Sequence, residues 1–184
     1  KDRVKVILVA RMLWDKGVGE FVESATLLTQ QGIDVDFLLV GAVDSGNPES
    51  ISAKQLEQWN KSGVVKWLGE RADIAQLLAE SHIAVLPSYR EGLPKSLIEA
   101  AAVGRAIVTT DVPGCREVVK DGENGFLVPA KDAKELSIAI QKLINNPKLL
   151  TSMGKKSRLM AEQEFSIQQI VEQTLKLYKT LKEL

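Results

Sequence analysis

Two carboxylates, Glu91 and Glu99, bracket the segment EGLPKSLIEAAAVG and are the residues whose types and spacing best suit chemistry. Glu99 stands among Leu97, Ile98, Ala100, Ala101, Ala102 and Val103, so these letters predict a helix buried on nearly every face. A carboxylate in such a helix loses hydration and is tolerated only when it is hydrogen-bonded or paired. The adjacent hydroxyls of a sugar or a ribose are suitable donors. Glu91 falls in the loop before the same helix, so the two acids can bracket one extended ligand. These residues alone fit equally well with Glu99 paired to a core arginine or a buried water, and Glu91 merely solvated.

Gly92, Leu93, Pro94 and Lys95 span the predicted helix start. Free backbone N–H groups and the helix dipole favour an anion there. Gly92 lets a ligand approach the main chain closely, and Pro94 suits a first helical turn because it has no N–H to satisfy. A phosphate held between two hydroxyl-binding acids has the outline of a nucleotide sugar. A second cluster, RMLWDKG, places Arg11 and Lys16 around a tight turn closed by Gly17. Two cations aimed at a diphosphate would offset the charge that builds as a sugar departs, and removing one such stabiliser typically costs about 2.7–4 kcal/mol. By itself this loop reads equally as two surface cations in a turn. Gly69 ends a strand where a base could meet the backbone, and a simple turn is as consistent.

These residues need a scaffold, and the alternation of elements supplies one. Short apolar runs at Val4–Ala10, 34–40, 64–68, 83–86, 106–109 and 125–128 read as strands. Helical spacing between them, at 17–31, 73–80 and 95–103, predicts amphipathic helices. Asn47-Pro48 reads as the cap and first position of another helix running to about Lys61. From Asp132 onward the chain is predicted helical. Asp132 with Glu135 and Ser166 with Gln169 make capping signatures, Asn146-Pro147 parts two helices, and Ile170, Leu177 and Leu181 recur at helical intervals. Such alternation predicts an α/β fold, a Rossmann-like parallel sheet with helices on both faces. Its ligands bind beyond the carboxyl ends of the strands, where the loops holding Arg11 and Glu91 fall.

The 184 residues suit one domain, and the 45% apolar and 26% charged composition is that of a folded chain. Twenty-four basic and twenty-four acidic residues cancel, which removes the electrostatic case for a nucleic-acid partner. No apolar run reaches membrane-spanning length, so direct membrane insertion is not expected. A lone cysteine, Cys115, excludes an internal disulfide and fits a reducing, cytoplasmic setting; it reads as a packing residue. With His82 the only histidine, neither a metal site nor a histidine-based triad is expected. Trp14 reads as a cover for the first loop. The opening at Lys1, almost directly into a strand, reads as the middle of a longer protein.

Taken together, ARMLWDKG, FLLVG, VKWLGE, VLPSYREGLPKSLIEAAAVGRAIVTTDVPG and DGENGFLVP resemble the carboxyl-terminal domain of the large retaining glycosyltransferase family of bacterial capsule, lipopolysaccharide and glycoprotein-glycan transferases. The resemblance covers nearly the whole chain, and the block from Val85 to Gly114 is its most specific part. It implies the C-terminal half of a GT-B fold, with residues 1–184 as a single nucleotide-sugar-binding domain and an N-terminal acceptor domain absent. It implies that Arg11 and Lys16 contact the donor diphosphate, Glu91 the sugar hydroxyls and Glu99 the ribose. It further implies that Gly92, Leu93, Pro94 and Lys95 bring backbone to the sugar and phosphates. Glu91, Arg11 and Lys16 would then serve the transfer itself. A UDP-sugar is the preferred donor, with no other cofactor and no metal. The mechanism implied is front-face hexosyl transfer with retention, to a glycan or lipid-linked acceptor, by a cytoplasmic enzyme with room for peripheral membrane association. Ala10 stands where the family often has glycine, so a small residue is kept. The rivals are a UDP-sugar epimerase-type domain, which would alter a donor without acceptor, and a non-catalytic nucleotide-binding module.

Overall fold

Side-chain alternation along the strands decides the architecture. In the strand β1, Val4–Val9, the side chains of Val6 and Leu8 point to one apolar core and Ile7 to another, as a period of two requires of a strand covered on both faces. The same split recurs in β4, residues Ile83–Leu86, and in β5, residues Ala106–Thr110. The computed structural model describes residues 3–169, 171, 175, 176 and 178. Its sheet is completed by β2 (Val35–Val40), β3 (Lys66–Trp67) and β6 (Gly125–Val128). The order is β3-β2-β1-β4-β5-β6, and every neighbouring pair is parallel. The expected Rossmann-like sheet is therefore present.

Helices α1 (Val18–Gln30) and α6 (Ala133–Ile144) cover one face. Phe21 of α1 is fully buried and meets Phe37 of β2 edge to face, with ring centroids 5.4 Å apart. Burying one such ring contributes roughly 1.5–3 kcal/mol. The other face is covered by α4 (Lys95–Ala102), α5 (Pro113–Val118) and part of α7 (Pro147–Glu164). The remaining helices are α2 (Ala53–Ser62) and α3 (Ile74–Ala79), beside the β3 edge and ahead of β4 respectively. Among the described residues, no helix is long and apolar enough to cross a membrane.

The caps explain where the helices begin. Asp132 accepts a hydrogen bond from the Glu135 N–H at 2.9 Å, and Asn146 from the Leu149 N–H at 3.0 Å. Ser166 accepts from the Gln169 N–H at 3.3 Å, as its spacing predicted, whereas Ile170, Leu177 and Leu181 lie outside the described residues. The expectation for Asn47-Pro48 fails. Asn47 caps only a turn, accepting from the Glu49 N–H, and α2 starts later, capped by Ser52. Tertiary pairing is the reason: the Trp14 N–H donates to Glu49 O and the Ile51 N–H to Met12 O, which holds this stretch against the loop after β1. Helix α5 was not foreseen, although Pro113 at its first turn is a start signal.

The chain runs from β1 outward to β3, then returns to place β4 on the other side of β1. At that reversal the helices that follow β1 and β4, α1 and α4, pack on opposite faces, and a crevice opens at the carboxyl ends of the two strands.

Candidate functional site

The two loops that flank this crevice are locked together through the backbone. Gly17 adopts φ 71°, and a Cβ there would lie 2.0 Å from the Pro87 carbonyl oxygen, so only glycine fits. Asp15 O accepts from the Tyr89 N–H at 2.9 Å and from the Ser88 hydroxyl at 3.1 Å. On the far side, a Cβ at Gly114 would lie 2.0 Å from Gly92 O, so the start of α5 abuts the same loop. Thr110 donates from its hydroxyl to Ser88 O, which ties β5 in as well.

Within this frame Lys16 Nζ and a Glu91 carboxylate oxygen are 2.7 Å apart, their side chains only 19% and 12% exposed. The more deeply shielded acid is thus Glu91. Glu99 is not the buried acid that its apolar neighbours predicted, because its side chain is 38% exposed. Helix α4 is only eight residues long; it buries Leu97, Ala100 and Ala101 and turns a ridge of Lys95, Ser96 and Glu99 outward. Alanine and valine letters on the flank of a short helix do not guarantee burial. Glu99 meets Lys95 at 3.4 Å, one turn earlier, in an exposed pair of small energetic weight. It faces the crevice all the same, as one wall of a cavity of about 520 Å³.

That cavity gathers most of the residues singled out by sequence: Arg11, Lys16, Glu91, Leu93, Pro94, Lys95 and Glu99 all line it. Pro94 is the N-cap residue of α4, and no side chain caps that helix start. Leu93 is exposed, and the space a Cβ would take at Gly92 is open. Gly92 adjoins the cavity rather than lining it. Gly69 stands apart, beyond β3 at the same sheet edge, with φ 67° and its carbonyl accepting from the Gly41 N–H at 2.8 Å. Arg11 pairs with Asp44 at 2.7 Å in an exposed contact. Each cation of the cavity therefore meets a carboxylate, and an incoming anion finds positive groups already charge-balanced.

Four residues not singled out from the sequence brace this site, although Asp15, Ser88 and Tyr89 fall within its quoted motifs. Tyr89 donates its phenol to a Glu20 carboxylate oxygen at 2.6 Å, while Asp15 and Ser88 supply the main-chain ties described above. Burial, and then the neighbouring Glu20 carboxylate, push the Tyr89 phenol well above its ordinary range. One oxygen of Glu20 and one of Asp15 are buried without a partner. Cys115, immediately after Gly114, is buried against the Thr109 hydroxyl, and burial pushes its thiol up. That suits packing, not nucleophilic attack. Trp14 is exposed and packs edge-on against Trp59 with centroids 5.9 Å apart.

A further cavity of about 640 Å³ lies at the amino ends of β4 and β5, beside α7. Its Arg105 and Arg158 guanidinium groups already donate to main-chain carbonyls, which gives them structural employment. Among the described residues there is no group of three or more His, Cys, Asp or Glu side chains placed to hold a metal ion.

The chain is similar to known proteins along most of its length. Residues 1–160 match the family described as Glycosyl transferases group 1. The N,N'-diacetylbacillosaminyl-diphospho-undecaprenol alpha-1,3-N-acetylgalactosaminyltransferase of Campylobacter jejuni is 43% identical over 173 residues, covering 94% of this chain and 44% of that protein. The crystal structure of Anabaena HepE in complex with UDP superposes with a TM-score of 0.83 at 26% identity, covering 99% of this chain and 49% of that one. In fold alone, the C-terminal domain of a group 1 family glycosyl transferase from Francisella tularensis also matches, with a TM-score of 0.78 at 24% identity over 89% of this chain and 87% of that one. The chain thus spans about half the length of the curated relatives it matches. It belongs to the glycosyl transferases group 1 family, and its sheet is the Rossmann-like C-terminal half of a GT-B fold.

Proposed function

We propose that this chain is the donor-binding half of a retaining glycosyltransferase, holding a UDP-sugar in the crevice between β1 and β4 while an N-terminal domain presents the acceptor. The observation that carries this reading is the single cavity that gathers Arg11, Lys16, Glu91, Lys95 and Glu99 around the uncapped start of α4. Cations and free N–H groups suit a diphosphate, and the two acids suit hydroxyls at either end of it.

In this reading Arg11, Lys16 and the α4 start carry the diphosphate charge as the glycosidic bond breaks, without a bound metal. Lys16 turns part of its hydrogen-bonding from Glu91 to the phosphate, which frees Glu91 for the sugar hydroxyls. Glu99, half exposed on the wall, accepts from the ribose hydroxyls. Backbone from Gly92 to Lys95 borders the sugar and phosphates, and Gly69 stands toward the base. Transfer proceeds on the front face, with retention. The sugar tried first is N-acetylgalactosamine, because the Campylobacter relative is named for its transfer. The acceptor is a glycan or lipid-linked glycan, the setting is the cytoplasm, and the isolated half does not transfer sugar by itself.

Calorimetry with UDP, GDP, ADP and uridine tests the site. UDP is expected to bind more tightly than GDP or ADP. Arg11→Ala should weaken UDP while leaving uridine unchanged, and Glu99→Gln should weaken both. Absence of heat with every nucleotide at millimolar concentration would remove the reading.

A further inference from the structure

Glu91 and Lys16 are held from behind by a cross-tie that lines no part of the cavity. Tyr89 lies two residues before Glu91, and its ring reaches away from the cavity to Glu20, in the first turn of α1. Its main-chain N–H goes to Asp15 O, the residue before Lys16. The two segments that deliver Glu91 and Lys16 are thus joined by the phenol, the amide and the Lys16–Glu91 ion pair, with the Ser88 hydroxyl and Arg90 also reaching Asp15. Lys131, held at a positive φ of 62°, sets its ammonium 4.8 Å from the centre of the Tyr89 ring and closes the other side. The second Glu20 oxygen is buried with no protein partner.

We propose that Glu20 and Tyr89 are positioning residues that fix the height of Glu91 above the donor sugar. The proposal rests on the donor-site reading given above. A phenol bonded to a carboxylate allows the loop almost no rotation about Tyr89, so the carboxylate two residues on is aimed before any ligand arrives. The nucleotide keeps Arg11 and Glu99, on other segments, besides Lys16, so its loss should be the smaller; the sugar, which relies on Glu91, should feel the tie most.

The test is calorimetry of the chain with UDP and with UDP-N-acetylgalactosamine. Tyr89→Phe and Glu20→Ala are each expected to bind UDP within about twofold of wild type and to lose about five- to tenfold for the nucleotide sugar, the worth of one well-placed hydrogen bond. Glu20→Gln, whose amide oxygen still accepts from the phenol, should stay near wild type for both. Equal losses for both ligands, together with a fall in melting temperature, would reduce the tie to a structural brace and overturn the proposal. So would unchanged binding of the nucleotide sugar. If Tyr89→Phe does not fold, the two Glu20 variants decide by themselves. If wild type binds neither ligand, the donor-site reading fails first and takes the positioning role with it.

Discussion

Lys16→Met tests the reasoning about the site without any ligand. The substitution keeps a long flexible stem but removes the cation 2.7 Å from Glu91, leaving a carboxylate whose side chain is only 12% exposed. Breaking a fully buried pair by removing one partner costs about 3–5 kcal/mol, and an exposed pair is worth about 0–1 kcal/mol. With 19% and 12% exposure the pair lies nearer the buried limit, so a loss of about 2–4 kcal/mol is expected. For a chain of this size each kcal/mol moves the melting temperature by about 2–4 °C, so the midpoint should fall by roughly 4–16 °C. Glu91→Gln should cost less, about 1 kcal/mol, because the lysine stem can swing its ammonium to water. The double variant Lys16→Met/Glu91→Gln should then recover much of the loss, since no charge is stranded. Circular dichroism melts of the wild type and the three variants close the cycle. A Lys16→Met midpoint within 2 °C of wild type, or a double variant that loses the sum of both singles, would refute the claim that this pair is shielded and coupled.

Other consequences are open to measurement. Gly17→Ala combines φ 71° with a Cβ 2.0 Å from Pro87 O, whereas Gly32→Ala has φ 74° and open space. Both should lose about 1–3 kcal/mol to backbone strain, and urea titration should show Gly17→Ala losing clearly more; equal losses would mean that the loops do not abut. The Tyr89 phenol is held above its ordinary value by burial and by Glu20, so its protonated form favours the folded state. That stabilisation is whole below the unfolded phenol's pKa of about 10 and fades as pH rises past it. Urea midpoints measured upward from pH 9 should therefore decline more steeply in wild type than in Tyr89→Phe, and parallel slopes would contradict the assigned environment.

The sheet was legible because strands buried on both faces leave nearly continuous apolar runs, as at Val4–Val9 and Ile83–Leu86. Caps made by a residue's own neighbours, such as Asp132, were legible for a similar reason: the whole interaction spans three positions. Asn47 misled because the competing force, pairing of Glu49 and Ile51 with the first loop, comes from far along the chain. Glu91 and Glu99 do line one cavity, yet their environments were inverted. A run of small apolar letters around Glu99 suggested a dry helix, but one ridge of that helix borders open space. Nothing next to Glu91 announces Lys16, which lies 75 positions away. The brace formed by Glu20 and Tyr89 was invisible for the same reason, since its two halves are 69 positions apart.

The contacts at Gly17 and Gly114 bear on how the loop after β4 can be exchanged between relatives. A stretch spanning 87–94 cannot be transplanted by itself, because its main chain rests directly on those of two other loops with no side chain between them to absorb a shift. A chimera that moves residues 11–20, 87–94 and 111–115 as one set keeps those abutments matched. One that moves the middle piece alone inherits a misfit that no later point substitution can relieve.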